Sequence, residues 1–324
     1  MTRDQPSNVA ASVRQRLLNI IRETGDDANL VWTRYATERL LFRLSVSKYA
    51  GQFVLKGAML FTAWTGQSYR PTVDMDLLGR GDDSSERLAE VFGAVCAVRA
   101  EPDGLVFDAD TVKAVPVLGE QRNQGQRVTL TAFLGKARIP IRVDVGFGDA
   151  ITPRARIIEY PALLDFPAPR IRACPRETVV AEKLQAMVVL GIANSRMKDF
   201  YDLWVLARQF VFDGATLTRA VRATFNRRKT GMPRETPLAL TEEFGRDTAK
   251  SVQWKAFLRK NSLERRVPEL LDLLSHLREF LLLTLRAASG TASVPANWSA
   301  GGPWASAESD AGGRKKSAPS KTTG

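Results

Sequence analysis

Histidine is almost missing from this chain: His276 is the only one in 324 residues. Triads built on an imidazole base, and metal centres built on imidazole ligands, are excluded by that inventory alone. His276 lies in a leucine-rich stretch of helical period and reads as a helix residue. Cysteine is scarce as well. Cys96 and Cys174 cannot make a disulfide framework, and neither stands in a metal-ligand spacing, so both read as structural residues. No apolar run reaches the roughly 18–20 residues needed to cross a bilayer. Residues 1–8 carry Arg3 and Asp4 and no apolar signal core. A cytoplasmic protein with no membrane association is the expectation.

Positive charge, by contrast, is plentiful. There are 47 Lys and Arg against 35 Asp and Glu, a net charge of +12. Such an excess points to a polyanionic partner. The end of the chain supplies little of it, through Arg314, Lys315, Lys316 and Lys321. A basic run, Arg219, Arg222, Arg227, Arg228 and Lys229, offers a path for RNA or else a solvated helix face. At 44% apolar residues the composition is that of a globular protein, long enough for one large domain or two ordinary ones.

Periodicity gives the organisation. Val13–Ile21 and Trp32–Leu44 have helical spacing. Phe53–Leu55 reads as a short strand ending at Lys56-Gly57, followed by a helix over Ala58–Trp64 and a strand around residues 73–77. A helix opens at Ser84-Ser85-Glu86, and strands follow at Leu105–Phe107, Lys113–Val117, Arg127–Leu134 and Ile139–Phe147. Two helices, Glu177–Leu190 and Met197–Phe210, then lead into a helical second half from Thr216. From Ser289 the chain is rich in Gly, Ser, Ala, Pro and Lys and reads as disordered. The fold class is thus α/β of the α+β kind, with a mixed sheet and a helical C-terminal lobe. The expected segments are 1–150, 151–288 and a basic tail at 289–324.

The chemistry concentrates at Asp74-Met75-Asp76. Strand side chains alternate, so Val73, Met75 and Leu77 point to a core and both carboxylates project together from the other face. Two adjacent carboxylates repel and are costly to desolvate unless a cation compensates them. Oxygen ligands favour Mg²⁺ or Mn²⁺. Asp144 alternates with Val143 and Val145 in the same way. If its strand neighbours the first, Asp74, Asp76 and Asp144 form a three-carboxylate metal cluster suited to phosphoryl displacement. Lys56-Gly57 resembles a phosphate-cradling turn. Lys183 stands among Val179, Val180, Ala186 and Met187, where it must snorkel or meet an anion. Arg196, Asp199 and Asp202 share one helical face.

Four segments together resemble the AbiEii/AbiGii-type nucleotidyltransferase toxins, whose relatives include the mycobacterial MenT toxins. They are Val54-Leu55-Lys56-Gly57-Ala58, Arg70 to Asp76, Ala181-Glu182-Lys183-Leu184, and Arg196-Met197-Lys198-Asp199-Phe200-Tyr201-Asp202-Leu203. The resemblance spans about residues 30–210. It implies a DNA polymerase β-like nucleotidyltransferase core, a helical lobe completing the active site, an antitoxin partner, and transfer of nucleotides from an NTP, in some relatives to the 3′ acceptor end of tRNA. By this resemblance Asp74 and Asp76 match the metal pair and Lys183 the lysine at the triphosphate. Asp199 matches a further essential aspartate. Lys56, Gly57, Arg196 and Lys198 complete the expected nucleotide contacts, with Asp202 as an additional candidate. Ala58 departs from the serine of many nucleotidyltransferases, removing a side-chain contact to the γ-phosphate.

The expectation is a metal-dependent transfer of NMP to RNA, with Mg²⁺ or Mn²⁺ as cofactor and NTP, tRNA or other RNA, and a cognate antitoxin as partners. Two rivals use the same residues differently: a metal-dependent nuclease or phosphodiesterase, and a non-catalytic nucleic-acid-binding protein.

Overall fold

The computed structural model describes residues 8–67, 69–117 and 125–305, in two units, Met1–Pro175 and Arg176–Gly324. The first opens with helices α1 (Val9–Thr24) and α2 (Ala28–Val46), whose first turns are capped by the side chains of Asn8 and Asp27. Then come β1 (Phe53–Lys56), α3 (Met59–Thr65), β2 (Asp74–Gly79), α4 (Ser85–Cys96), β3 (Leu105–Val117), β4 (Gly125–Leu134), β5 (Ala137–Phe147), β6 (Arg156–Glu159) and β7 (Arg170–Ala173). Among the described residues these strands make one seven-stranded sheet in the order β3-β4-β5-β2-β1-β7-β6. The sheet is mixed: β2 runs parallel to β5 and β1 to β7, and the other neighbours are antiparallel.

One face of this sheet is core. Met75, Leu77, Val128, Leu130, Ile141, Val143 and Val145 are all at most 3% exposed, under α2 and α4, which pack over β5 and β3. Burying each such side chain contributes about 1.5–3 kcal/mol. A one-residue slip of β2 would turn Met75 and Leu77 to solvent and drive two aspartates into that core, so the packing locks the register that presents the acids.

A charged cluster ties α2 to the loops of its own unit. Arg43 forks onto Asp103 at 2.7 and 3.1 Å, and Arg39 Nε donates to the same carboxylate at 3.2 Å. Arg39 also donates to the Pro167 carbonyl, and Glu38 accepts from the Leu163 N–H at 2.7 Å. Burial pushes the Glu38 carboxyl up to about 7, against the lowering from Leu163 and Arg39.

The second unit holds α5 (Arg176–Leu190), α6 (Met197–Gln209), β8 (Phe212–Asp213), α7 (Gly214–Arg227), α8 (Glu242–Arg246), α9 (Thr248–Lys260), α10 (Leu270–Ser289) and β9 (Asn297–Trp298). Helix α7 packs against both α5 and α10, burying Leu184, Leu217, Val221, Leu274 and Leu277. Arg222 does not face a ligand: it donates to the carbonyls of Ala287 and Ala288 at 2.8 Å, satisfying the last turn of α10. Neither cysteine is in a disulfide, and both are buried.

Four expectations need correction. The boundary lies at Pro175 rather than 150, because β6 and β7 extend the sheet beyond β1. Leu105–Phe107 and Lys113–Val117 belong to one strand, β3, interrupted by a register shift between Asp108 and Lys113. Val73 does not enter the core; it precedes β2 and is 50% exposed. Residues 289–305 are ordered structure rather than disordered tail. Trp298 is fully buried against Phe280 and His276, and Trp304 stacks on Phe280. Two tryptophans supply the apolar area that the small residues around them lack. The remainder of the expected tail, 306–324, lies outside the described residues.

Candidate active site

In the first unit the acids stand on the polar face of the sheet. Asp74 and Asp76 alternate with buried Met75 and Leu77 on β2. On one side β1 pairs Lys56 with Asp76, and on the other β5 pairs Asp74 with Arg142 and Asp76 with Asp144. The strand adjacency assumed for Asp144 is therefore present.

Gly57 follows directly, with φ +69°, a conformation that side-chain-bearing residues rarely adopt. A Cβ on Gly57 would collide with the Asp76 carboxylate. This glycine is thus fixed twice, by its backbone angle and by the acid against its α-carbon. Lys56 does not reach into open space: its ammonium pairs with Asp149 at 2.7 Å, both side chains being largely buried.

The carboxylates are not equivalent. Asp144 is held by a two-pronged contact from Arg127, at 2.8 Å to each oxygen. Those bonds hold the Arg127 guanidinium above its usual range, and the charges of Asp144, Asp74 and Asp76 add to the effect. Asp74 has a looser partner, Arg142 at 3.4 Å, and its Oδ1 is buried without a hydrogen bond. The 3.4 Å contact is a charge contact without hydrogen-bond alignment, so the two observations agree. No three Asp, Glu, His or Cys side chains converge with metal-holding geometry among the described residues. The donors that fit a divalent cation are therefore Asp74 and Asp76, where an orphaned Asp74 oxygen and two like charges call for one. Asp144 does not complete the three-carboxylate cluster while Arg127 holds it.

The second unit has its own charged centre. Lys183 on α5 reaches two carboxylates of α6, Asp199 at 2.5 Å and Asp202 at 2.9 Å. Both acids are nearly inaccessible, at 4% and 3%. Arg196 adds a contact to Asp199 at 3.2 Å. The anion that Lys183 meets is thus made by the fold itself, and Asp202 is as much its partner as Asp199. Lys198 is exposed. The preceding loop is held by Lys250, which donates to the Asn194 carbonyl at 3.1 Å. Arg228 binds Gln185 at 2.8 Å and lies 3.8 Å from Glu182, so this member of the basic run is also committed within its unit.

Arg127, Arg142 and Asp149 join the site without having been candidates from sequence. Arg127 does leave a signal there. Gly135-Lys136 makes a two-residue turn between β4 and β5, with φ +60° at Gly135, and counting outward from it pairs Arg127 with Asp144.

Comparison with known proteins bears on these centres. The model of the family described as nucleotidyl transferase AbiEii toxin, type IV toxin–antitoxin system, matches residues 39–275. No curated protein matches. Among solved structures, a candidate nucleotidyltransferase of Helicobacter pylori aligns at 14% identity, covering 79% of this chain and 97% of its own, with a TM-score of 0.46. The Helicobacter pylori protein JHP933 aligns at 13% identity over 79% and 93%, also at 0.46. Because the family match takes in well over half the chain, including Asp74, Asp76, Lys183 and Asp199, this protein belongs to the AbiEii nucleotidyltransferase toxin family.

Proposed function

We propose that the chain transfers NMP from an NTP to RNA, at the 3′ acceptor end of tRNA, with the α–β phosphoanhydride bond broken and pyrophosphate released, and that an antitoxin protein restrains it. The observation that carries this reading is Asp74 and Asp76 side by side on β2, with the Gly57 turn pressed against Asp76. Asp74 and Asp76 would hold Mg²⁺ or Mn²⁺, which when bound neutralises charge on the α-phosphate and lowers the pKa of the attacking 3′-hydroxyl. The Gly57 turn brings backbone close to the triphosphate, where no side chain can intervene. Arg127, by engaging Asp144, keeps a third negative charge from adding to the repulsion at Asp76. Lys183, anchored by Asp199 and Asp202, is needed in the same reaction, as are Arg196 and Lys198 at the start of α6. Positioning and electrostatics supply most of the catalysis in phosphoryl transfer, so each of these contacts matters to rate.

A hydrolase would use the same carboxylates with water as nucleophile. The family supports transfer over hydrolysis. The test is expression of the wild type and Asp74→Ala in a bacterial host, scoring growth and sequencing tRNA 3′ ends. Arrest with extended 3′ ends from the wild type alone is the expected result. Equal arrest by both proteins would remove the catalytic reading.

A further inference from the structure

On the β5 side of Asp74 lies a groove of about 600 Å³ whose lining mixes charged and hydroxyl side chains with Val73, Leu130, Pro140 and Ile141. Strand register sets its floor: Asp74 pairs with Arg142, Arg142 with Thr129, and Thr129 with Lys113. The row thus crosses β2, β5, β4 and β3. Arg138, two side chains before Arg142 on the same face of β5, joins the lining, and Asp110 is the lining carboxylate besides Asp74. Lys113, Arg138, Arg142 and Thr129 are all exposed. Arg142 leans on Asp74, whereas Lys113 and Arg138 make no ion pair with any described residue.

We infer that this row is the track for the phosphodiester backbone of the acceptor RNA, leading its 3′ end to Asp74; the inference rests on the transferase reading above. Three arguments favour the polymer over the triphosphate. The first is position. The carboxylate pair stands between the Gly57 turn on the β1 side and this cationic row on the β5 side. Transfer joins two phosphate-bearing reactants that must approach one centre from different directions. The second is length. Three strand spacings of roughly 4.8 Å carry the row some 14 Å from Asp74, and stacked nucleotides advance roughly 3.4 Å each along a strand. The row therefore spans several phosphates, more than a compact triphosphate needs. The third is chemistry. Lysine and arginine alternating with a threonine hydroxyl suit phosphate and sugar contacts without sequence readout.

The test uses the full chain carrying Lys113→Gln and Arg138→Gln, singly and together. Both residues are exposed and outside any ion pair among the described residues, so the fold does not depend on them. Arg142 is left in place because it touches Asp74. Binding of a labelled single-stranded RNA oligonucleotide is measured across a salt series, and KM for NTP is measured in parallel. The expected result is weaker RNA binding, by about tenfold in the double variant. The slope of log affinity against log salt should become shallower by roughly 0.7 for each charge removed. KM for NTP should stay unchanged. A rise in KM for NTP with RNA binding intact would assign the groove to the triphosphate and overturn the inference, and so would no change in either. Asp74→Ala separates the two levels: if it still transfers nucleotides, the catalytic reading fails, whereas the salt slope judges the track independently.

Discussion

The Asp76 carboxylate lies against the α-carbon of Gly57, so tightly that no β-carbon fits between them. Strand pairing produces this contact. β1 and β2 are antiparallel with Lys56 opposite Asp76, so the first residue after β1 must turn away over the acid. A left-handed backbone makes that turn, and the missing side chain leaves the carboxylate room.

Gly57→Ala is therefore expected to do two kinds of harm. The left-handed conformation costs roughly 1–2 kcal/mol for a residue with a β-carbon, and the collision displaces Asp76. Thermal unfolding should show the loss of stability. Nucleotide incorporation should fall further than that loss explains, because the misplaced acid is one of the two proposed to hold the metal. An active variant with lowered stability alone would reduce Gly57 to a turn residue.

Neutralising the acids should separate stability from activity. Asp74→Asn and Asp76→Asn each remove like-charge repulsion, so neither should unfold the first unit. Each should lower transfer by roughly 10²–10³-fold, the scale seen when one electrostatic contact to the reacting centre is lost. In the wild type, Mg²⁺ with NTP should raise the melting temperature by mass action. Chelation should reverse the rise, and both variants should lack it. A metal-dependent rise that survives in Asp74→Asn and Asp76→Asn would move the cation elsewhere.

Lys183→Met should be among the most damaging substitutions in the second unit. It takes the shared ammonium away from two carboxylates that are 4% and 3% exposed, Arg196 remaining on Asp199. Breaking a buried pair from one side costs about 3–5 kcal/mol. Adding Asp202→Asn should return part of that stability, because it removes one of the two buried like charges that Lys183 pairs. Urea unfolding of the two singles and the double gives the coupling directly. Additive losses would mean that Lys183 does not hold α6.

Glu38 predicts a pH dependence. Burial raises its folded carboxyl from 4.5 to about 7, so between those values the folded state binds more protons than the unfolded one. Its contribution is fully present below about pH 4.5 and is lost as pH rises through 7. Each tenfold difference in proton affinity is worth about 1.4 kcal/mol, so the loss is about 3 kcal/mol. Glu38→Gln keeps an acceptor for the Leu163 N–H and should flatten the stability profile between pH 4.5 and 7. An unchanged profile would assign the slope to other groups.

How much of this can be read from sequence differs from residue to residue. Asp74 and Asp76 are legible because alternation with Met75 and Leu77 fixes their face without tertiary information. Asp144 is legible as to face, but its engagement by Arg127 emerges only when the Gly135-Lys136 turn is used to set the register. The partners of Lys183 are harder. Its spacing predicts either snorkelling or an anion, yet Asp199 and Asp202 lie on the next helix, and only packing decides between these and whether an anion is a substrate or the fold itself. The short strands β6 and β7 give little signal, since Arg170-Ile171-Arg172-Ala173 offers only two apolar positions. Trp298 and Trp304 are hidden by the small polar residues around them, though burying the first ring and stacking the second outweighs that composition.

The central claim is that Asp74 and Asp76 carry a nucleotidyl transfer. Its most direct test is to incubate the purified full chain with 5′-labelled tRNA, NTP and Mg²⁺, alongside Asp74→Ala and a chelated sample. The wild type should yield RNA lengthened at its 3′ end, and the other two samples no lengthening. Equal lengthening by Asp74→Ala, or RNA shortened in the absence of NTP, would contradict it.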